Sequence, residues 1–126
     1  MENNVCISFY LRSARIYIHQ STLKVMNNPE FVGFLLSTDR KTFIMQARAK
    51  KDFYSVRLRI KQTGKTDKAE AYSYGLCEYI AEINGWDVNC SYRVFGKNYS
   101  NQGIAVFDFS SSEQINDEVS DDEPNV

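Results

Sequence analysis

The chain has 126 residues, of which 43% are hydrophobic and 25% are charged, and its formal net charge is -1. This length and composition predict one globular domain that can bury a core without disulfides or metal. No apolar run approaches the roughly 20 residues that span a bilayer, and residues 1–5 lack the features of a signal peptide. We therefore expect a cytoplasmic protein that does not contact membranes.

The three cysteines support the same compartment. Cys6, Cys77 and Cys90 are odd in number and widely spaced, and they form no CxxC pair. A disulfide framework would normally use an even number of cysteines. The pattern therefore predicts three reduced, buried thiols.

The charge is distributed unevenly along the chain. Residues 113–126 hold six acidic residues and no basic residue, so that residues 1–112 hold fifteen basic and ten acidic residues. A terminal segment with so much charge and so little to bury is expected to be disordered. We therefore predict a folded domain over residues 1–112 and a flexible acidic tail over residues 113–126.

The first half of the chain contains an extended segment, a short helix and a hairpin. Residues 6–18 are predicted to be extended, and residues 21–26 follow as a short helix. Pro29 ends this helix because proline disfavours helical geometry in the residue before it. Two apolar segments around a polar turn then form a predicted hairpin, over residues 31–37 and 42–48.

The second half begins with the strand 54–61, in which apolar and polar residues alternate. Asp67 and Glu70 have the spacing of a capping box at the start of a second helix, and Gly85 has the position of its C-cap. Two further strands are predicted near the end of the chain, over residues 86–94 and 104–109, around a glycine-rich loop.

Both halves share one order of elements, namely strand, helix, strand, turn and strand. This order predicts an α+β fold with one antiparallel sheet, or two packed sheets, and with both helices on one face. The similarity between the halves raises the possibility of two tandem β-α-β-β units.

The strand 54–61 places cations on alternate residues. If its apolar side chains face the core, Arg57, Arg59 and Lys61 face outward, about 7 Å apart. This distance loosely resembles the spacing of phosphates along a nucleic acid. The surrounding residues 40–68 hold ten basic and two acidic residues.

Three interpretations of these cations remain open. They form a solvated sheet face that prevents pairing with other chains, a site for the backbone of DNA or RNA, or a site for an acidic protein or a phosphorylated small molecule. Arginine favours the second and third, because its planar guanidinium matches phosphate and carboxylate. The residues predicted to make these contacts are Arg15, Arg48, Lys50, Lys51, Arg57, Arg59 and Lys61.

Patterns that indicate catalysis or metal binding are weak. His19 is the only histidine, and no spacing supports a Ser-His-Asp set. Residues 64–66 resemble the end of a phosphate-binding loop but lack its upstream glycine. Asp108 could pair with Asp87, or more simply form an ion pair with Arg93. We therefore predict a non-catalytic protein with no cofactor and no metal site.

One stretch of the first half has a recognisable arrangement of elements. It begins with a strand led by Arg15, continues with a one-turn helix that holds Leu23 and Met26, and ends in a hairpin. In this order residues 15–47 resemble the AbrB/MazE-type looped-hinge DNA-binding module, although His19 stands where that family usually has proline. The resemblance implies a homodimer that binds DNA through basic residues near the start of the module.

The sequence thus predicts a non-catalytic regulatory protein of bacterial or mobile-element origin that binds nucleic acid, expected to be DNA, as a homodimer. The alternative is a small phage- or plasmid-type inhibitor or adaptor that binds a host protein or sequesters a phosphorylated ligand. The acidic tail could compete for the basic surface within the same chain, or simply aid solubility.

Overall fold

The computed structural model describes residues 4–49, 55–62, 67–99 and 103–115. These residues form nine strands, two α-helices and one 3-10 turn. In chain order the elements are β1 Asn4–Tyr10, the 3-10 turn Leu11–Ser13, β2 Arg15–Ile18, α1 Gln20–Val25, β3 Phe31–Leu36, β4 Thr42–Arg48, β5 Val56–Arg57, β6 Arg59–Gln62, β7 Asp67–Tyr72, α2 Tyr74–Asn84, β8 Ser91–Tyr99 and β9 Ile104–Ile115.

All of these strands belong to one antiparallel sheet in the order β5-β3-β4-β9-β8-β1-β2-β7-β6. The strands β5 and β6 stand at the two ends of this order, although only Leu58 separates them in the chain. One extended segment therefore pairs with β3 at its start and with β7 at its end. Counted as one strand, it makes the sheet a nearly closed barrel of eight strands.

The predicted α+β fold, with two helices on one sheet face and two tandem units, is wrong. Antiparallel strand makes up 54% of the structure, and among the residues it describes only one helix has seven or more residues. The two halves of the chain are interleaved, because β1 and β2 pair with β8 and β7 from the second half. A sheet that curls on itself covers its own apolar face, so it does not need a layer of helices.

The two helices are short and differ in how well they were predicted. The helix α1 lies within two residues of its predicted position, whereas the second helix begins later than the capping-box pattern indicates. Within the described residues, neither helix combines the length and the apolar character needed to cross a lipid bilayer.

The start of the second helix was predicted wrongly because Asp67–Tyr72 forms the strand β7. Ala69 and Ala71 point into the barrel, opposite two buried isoleucines of β2. The helix starts after Ser73, whose Oγ accepts a hydrogen bond of 3.3 Å from an N–H in the first turn. The predicted C-cap is confirmed, because Gly85 has the left-handed φ of 65°.

The N-terminal segment 6–18 forms a hairpin rather than one extended strand. Ala14, with a φ of 55°, reverses the chain after the 3-10 turn, and β1 then pairs with β2. The later hairpin was predicted correctly, because β3 and β4 pair along their whole lengths around a polar turn.

The strands β8 and β9 differ from their predicted limits. The strand β8 begins at Ser91 rather than at Trp86, and it continues past residue 94 through Gly96 to Tyr99, into the predicted glycine-rich loop. The strand β9 ends at Ile115, three residues inside the segment that was predicted as a tail. The rest of that segment, 116–126, lies outside the described residues.

A bulge in β9 bends the sheet beside β8. Arg93 lies opposite Glu113 and Phe95 lies opposite Asp108, so four residues of β9 face a single residue of β8. Ser111 Oγ accepts a hydrogen bond of 2.9 Å from the Phe95 N–H and lies 2.7 Å from the Asp108 carbonyl oxygen. The serine thus replaces ladder bonds that the bulge removes.

Aromatic rings fill the barrel, and α2 packs against the same core. The Phe9 and Phe43 rings meet edge to face, with centroids 5.3 Å apart. Trp86, which follows α2, stacks on Tyr92 with a centroid distance of 4.4 Å. Because Ile80 of α2 is fully buried, the helix belongs to the same core as the strands.

Candidate functional site at the barrel seam

The two ends of the sheet meet at a seam, which we define as the place where the chain changes its partner strand at Leu58. Arg57 is the last residue to pair with β3, and Arg59 is the first to pair with β7. The Leu58 N–H donates to the carbonyl oxygen of Glu30 at 3.0 Å. Because β6 pairs only with the first part of β7, Tyr72 at the end of β7 has no partner on β6. The barrel wall therefore opens at the seam.

This opening is a groove of about 850 Å³. Its lining combines an apolar floor with charged and aromatic walls. Leu58 and Ala71 form the floor and are 3% and 1% exposed. The described residues that line the groove are Glu30, Val56, Arg57, Leu58, Arg59, Ala71 and Tyr72.

The two arginines of the groove face outward, as the alternation of their strand predicts. Arg57 and Arg59 are exposed, whereas Leu58 between them is buried. The Arg57 guanidinium lies 3.2 Å from the Glu30 carboxylate, and both side chains are largely exposed, at 70% and 60%. Such a solvated ion pair is weak, so an anionic ligand can compete with Glu30 for Arg57.

Arg59 lies beside Tyr72 on the other wall. These residues are diagonal neighbours on β6 and β7, and the Arg59 Cζ lies 5.8 Å from the centre of the Tyr72 ring. The Tyr72 hydroxyl donates to Glu70 Oε1 at 3.1 Å. The side chain of Tyr72 is therefore held at one end while 48% of the residue remains exposed.

Glu70 is itself held by Arg15, which was predicted to be a surface cation. The Arg15 Nη1 lies 2.9 Å from Glu70 Oε2, and the two side chains are only 12% and 3% exposed. The Arg15 guanidinium also lies over the Tyr10 ring, 4.4 Å from its centre. Arg15 thus supports the groove from within the protein rather than presenting its charge to a ligand.

Arg48 is half-buried on the outer face of β4. It lies opposite Phe31, and Phe31 lies opposite Arg57 on the next strand, so the three residues form a row across the sheet. The Arg48 guanidinium lies across Gly33. A Cβ at that glycine would be 2.8 Å from Arg48 Nε. Arg48 is therefore near the seam, but it packs against the sheet.

The other predicted cations cannot be placed in the groove. Lys50 and Lys51 lie outside the described residues, and of Lys61 the structure describes only the backbone in β6. Sequence reasoning missed Glu30 and Tyr72 as groove residues. The period-two alternation within β7 was a signal that could have placed Tyr72 on a strand. No local signal predicts that Glu30 lines the groove.

A second polar cluster lies on the outer faces of β1 and β2. Ser8 Oγ and His19 Nε2 are 2.8 Å apart, and the ring of Tyr17 lies 4.7 Å from the histidine ring. Desolvation by burial, with a further effect of the Arg93 charge, lowers the pKa of His19 from 6.5 to about 4. A serine hydroxyl that is hydrogen-bonded to a neutral histidine resembles part of a nucleophilic site. Because Ser8 is fully buried, we interpret this pair as structural.

The stability of the protein is expected to fall as the pH decreases from 6.5 toward 4. The unfolded chain takes up a proton on His19 near its ordinary pKa, whereas the folded chain does so only near 4, so the contribution is fully present above this range and lost through it. Urea unfolding at about pH 7.5 and about pH 5 should show a loss of about 2 kcal/mol in the wild type.

The control for this prediction is His19→Gln, which should lose much less stability over the same interval. Asp39 and Asp108 do not interfere, because their ordinary pKa of 3.8 already lies below this interval, and hydrogen bonds from Ser37 and Ser110 lower the pKa of these carboxyl groups further in the folded chain. Equal losses in the wild type and in His19→Gln would contradict the assignment.

The described residues offer little for metal or thiol chemistry. Within them, no group of three or more His, Cys, Asp or Glu residues could hold a metal ion. Burial raises the pKa of the Cys77 thiol to about 11, so this cysteine is a poor nucleophile.

The Asp108 carboxylate accepts two hydrogen bonds from Ser110, at 2.9 Å from its backbone nitrogen and 2.7 Å from its hydroxyl. No Arg93–Asp108 ion pair occurs among the described contacts.

Comparison with known proteins adds no relative. No protein-family model, no curated protein and no solved structure matches the chain. The resemblance of residues 15–47 to the looped-hinge module stays a prediction. The structure forms this stretch into β2, α1, β3 and β4, with β2 paired between β1 and β7 of the same chain.

Proposed function

We propose that this chain is a non-catalytic, cytoplasmic regulatory protein that binds nucleic acid at the seam. One observation supports the proposal above the others. Arg57 and Arg59 project from the barrel wall on either side of the buried Leu58 and line a groove that also presents Tyr72. Exposed guanidinium groups beside an exposed aromatic ring are the side chains that nucleic-acid grooves use.

The charges of the groove suit phosphate groups. Arginine offers parallel N–H donors that match two oxygens of one phosphate. The single carboxylate among the described lining residues, Glu30, forms a solvated ion pair with Arg57. A phosphate can therefore replace this carboxylate without leaving a buried charge without a partner.

Removing both groove arginines should weaken the salt dependence of binding. Each lost phosphate contact lowers the slope of log K against log salt by about 0.7 for a single strand and about 0.9 for a duplex. The variant Arg57→Ala, Arg59→Ala should therefore show a slope smaller by about 1.5. Fluorescence anisotropy with labelled DNA, between roughly 50 and 200 mM salt, measures this slope.

The matched control removes two exposed cations that do not line the groove, Arg12 of the 3-10 turn and Lys24 of α1. The variant Arg12→Ala, Lys24→Ala has the same net charge as the groove variant and should keep the slope of the wild type. An equal reduction in both variants would show that only net charge matters. Failure of the wild type to bind DNA or RNA would overturn the proposal and favour an acidic protein partner.

A further inference from the structure

We infer that the seam takes single-stranded rather than duplex nucleic acid, with one base stacked on Tyr72 and the adjoining phosphate bound by Arg59. This inference rests on the proposed function, and it names the form of the ligand and the residue that recognises it. It follows from the way the tyrosine is held, from the shape of the opening and from the position of Arg59.

Tyr72 is both exposed and oriented in advance. Its hydroxyl donates to Glu70, and Glu70 is fixed by a buried ion pair with Arg15. This chain of contacts runs from the protein interior to a residue with 48% of its surface exposed. A ring that is already oriented loses little rotational freedom when a base stacks on it.

The groove is large enough to accommodate one nucleotide unit. Its volume of about 850 Å³ lies within the range of ligand pockets, roughly 300 to 1,000 Å³. The faces of the bases in a duplex are covered by their neighbours, so a ring in the protein wall cannot stack on them. An unpaired strand can turn one base toward Tyr72 while its backbone follows the outer surface.

Arg59 is placed to bind the phosphate beside that base. The distance of 5.8 Å between its Cζ and the centre of the Tyr72 ring is at the outer limit of a cation–π contact. The guanidinium therefore lies over the ring without packing closely on it. Arg57 lies two residues before Arg59 and also faces outward, about 7 Å away along an extended chain, where the next part of the backbone can reach it.

The experiment compares a labelled single strand of about 12 nucleotides with the matching duplex, using the full-length chain. Tyr72→Leu should lower the affinity for the single strand about ten-fold and leave the affinity for the duplex unchanged. Tyr72→Phe keeps the ring and loses only the hydrogen bond to Glu70 that orients it, so its affinity for the single strand should fall by no more than about three-fold. The matched control is Tyr74→Leu, which removes an exposed tyrosine of α2 that does not line the groove.

A second readout reports stacking itself. A strand that carries 2-aminopurine should lose fluorescence when it binds to the wild type or to Tyr72→Phe, because stacking on an aromatic ring quenches this base. Tyr72→Leu at saturating concentration should leave the fluorescence high. Far-UV circular dichroism of each variant establishes that it is folded, so a loss of binding cannot be confused with unfolding.

The outcomes separate this inference from the proposed function. Equal affinity for single strand and duplex, with no effect of Tyr72→Leu, would overturn the inference, while a reduced salt slope in the Arg57 and Arg59 variant would leave nucleic-acid binding intact. Competition by a free nucleoside monophosphate as strong as that by the strand would also overturn it. Absence of binding to every nucleic acid would overturn the proposed function as well.

Discussion

The Gly96→Ala variant should lose about 3 kcal/mol or more of its free energy of unfolding, at the upper end of what over-packing costs. A Cβ at Gly96 would overlap the carbonyl oxygen of Val106 and lie 2.7 Å from the Cα of Phe107. Both atoms belong to the backbone of β9, so they cannot turn aside as the end of a flexible side chain can. Relief of the overlap requires β8 and β9 to separate where their pairing is continuous.

Gly75→Ala is the matched control for this prediction. Gly75 lies in the helix α2, and a Cβ there would meet no heavy atom within 4 Å. Because alanine favours a helix more than glycine does and Gly75 lies in the first turn, this variant should lose no stability and gain at most about 1 kcal/mol. Urea unfolding followed by circular dichroism compares both variants. A Gly96→Ala protein as stable as the wild type would show that β8 and β9 are not so closely apposed.

Glu70→Ala should destabilise the protein by about 3 to 5 kcal/mol. Glu70 is 2% exposed, and its carboxylate lies 2.9 Å from Arg15. Removing the carboxylate leaves the Arg15 guanidinium in a largely buried position without this counter-charge, so a large part of the cost of desolvating that cation is no longer offset. Chemical denaturation at neutral pH measures the change.

Two further variants test whether burial is the cause. The double variant Arg15→Met, Glu70→Leu removes both charges and should be more stable than Glu70→Ala, because no buried charge is left behind. Glu30→Ala breaks the exposed ion pair with Arg57 and should cost at most about 1 kcal/mol. Similar losses of stability for Glu30→Ala and Glu70→Ala would show that the burial of the Arg15–Glu70 ion pair does not determine its contribution.

The parts of the fold that were predicted correctly depend on local rules. The hairpin of β3 and β4 follows from two apolar segments around a polar turn. The end of α2 at Gly85 follows from the left-handed conformation that glycine readily adopts. In both cases the deciding interactions lie within a few residues of each other.

The errors arise where two local patterns compete or where distant strands meet. Residues 67–72 have both the spacing of a capping box and a period-two alternation. They form a strand because β7 pairs with β2. The layer of two helices on one sheet face was predicted wrongly for a similar reason, since local periodicity does not report whether a sheet curls on itself.

The sequence by itself determined that Arg57 and Arg59 share one face of an extended segment, because successive side chains of a strand point in opposite directions. It also determined the excess of basic residues between positions 40 and 68. Only the tertiary structure decided that this segment leaves β3 for β7, and thereby brought Glu30 and Tyr72 to the same groove. The choice of partner strands depends on backbone hydrogen bonds between distant parts of the chain. The spacing of residues along the chain does not indicate which strands these hydrogen bonds join.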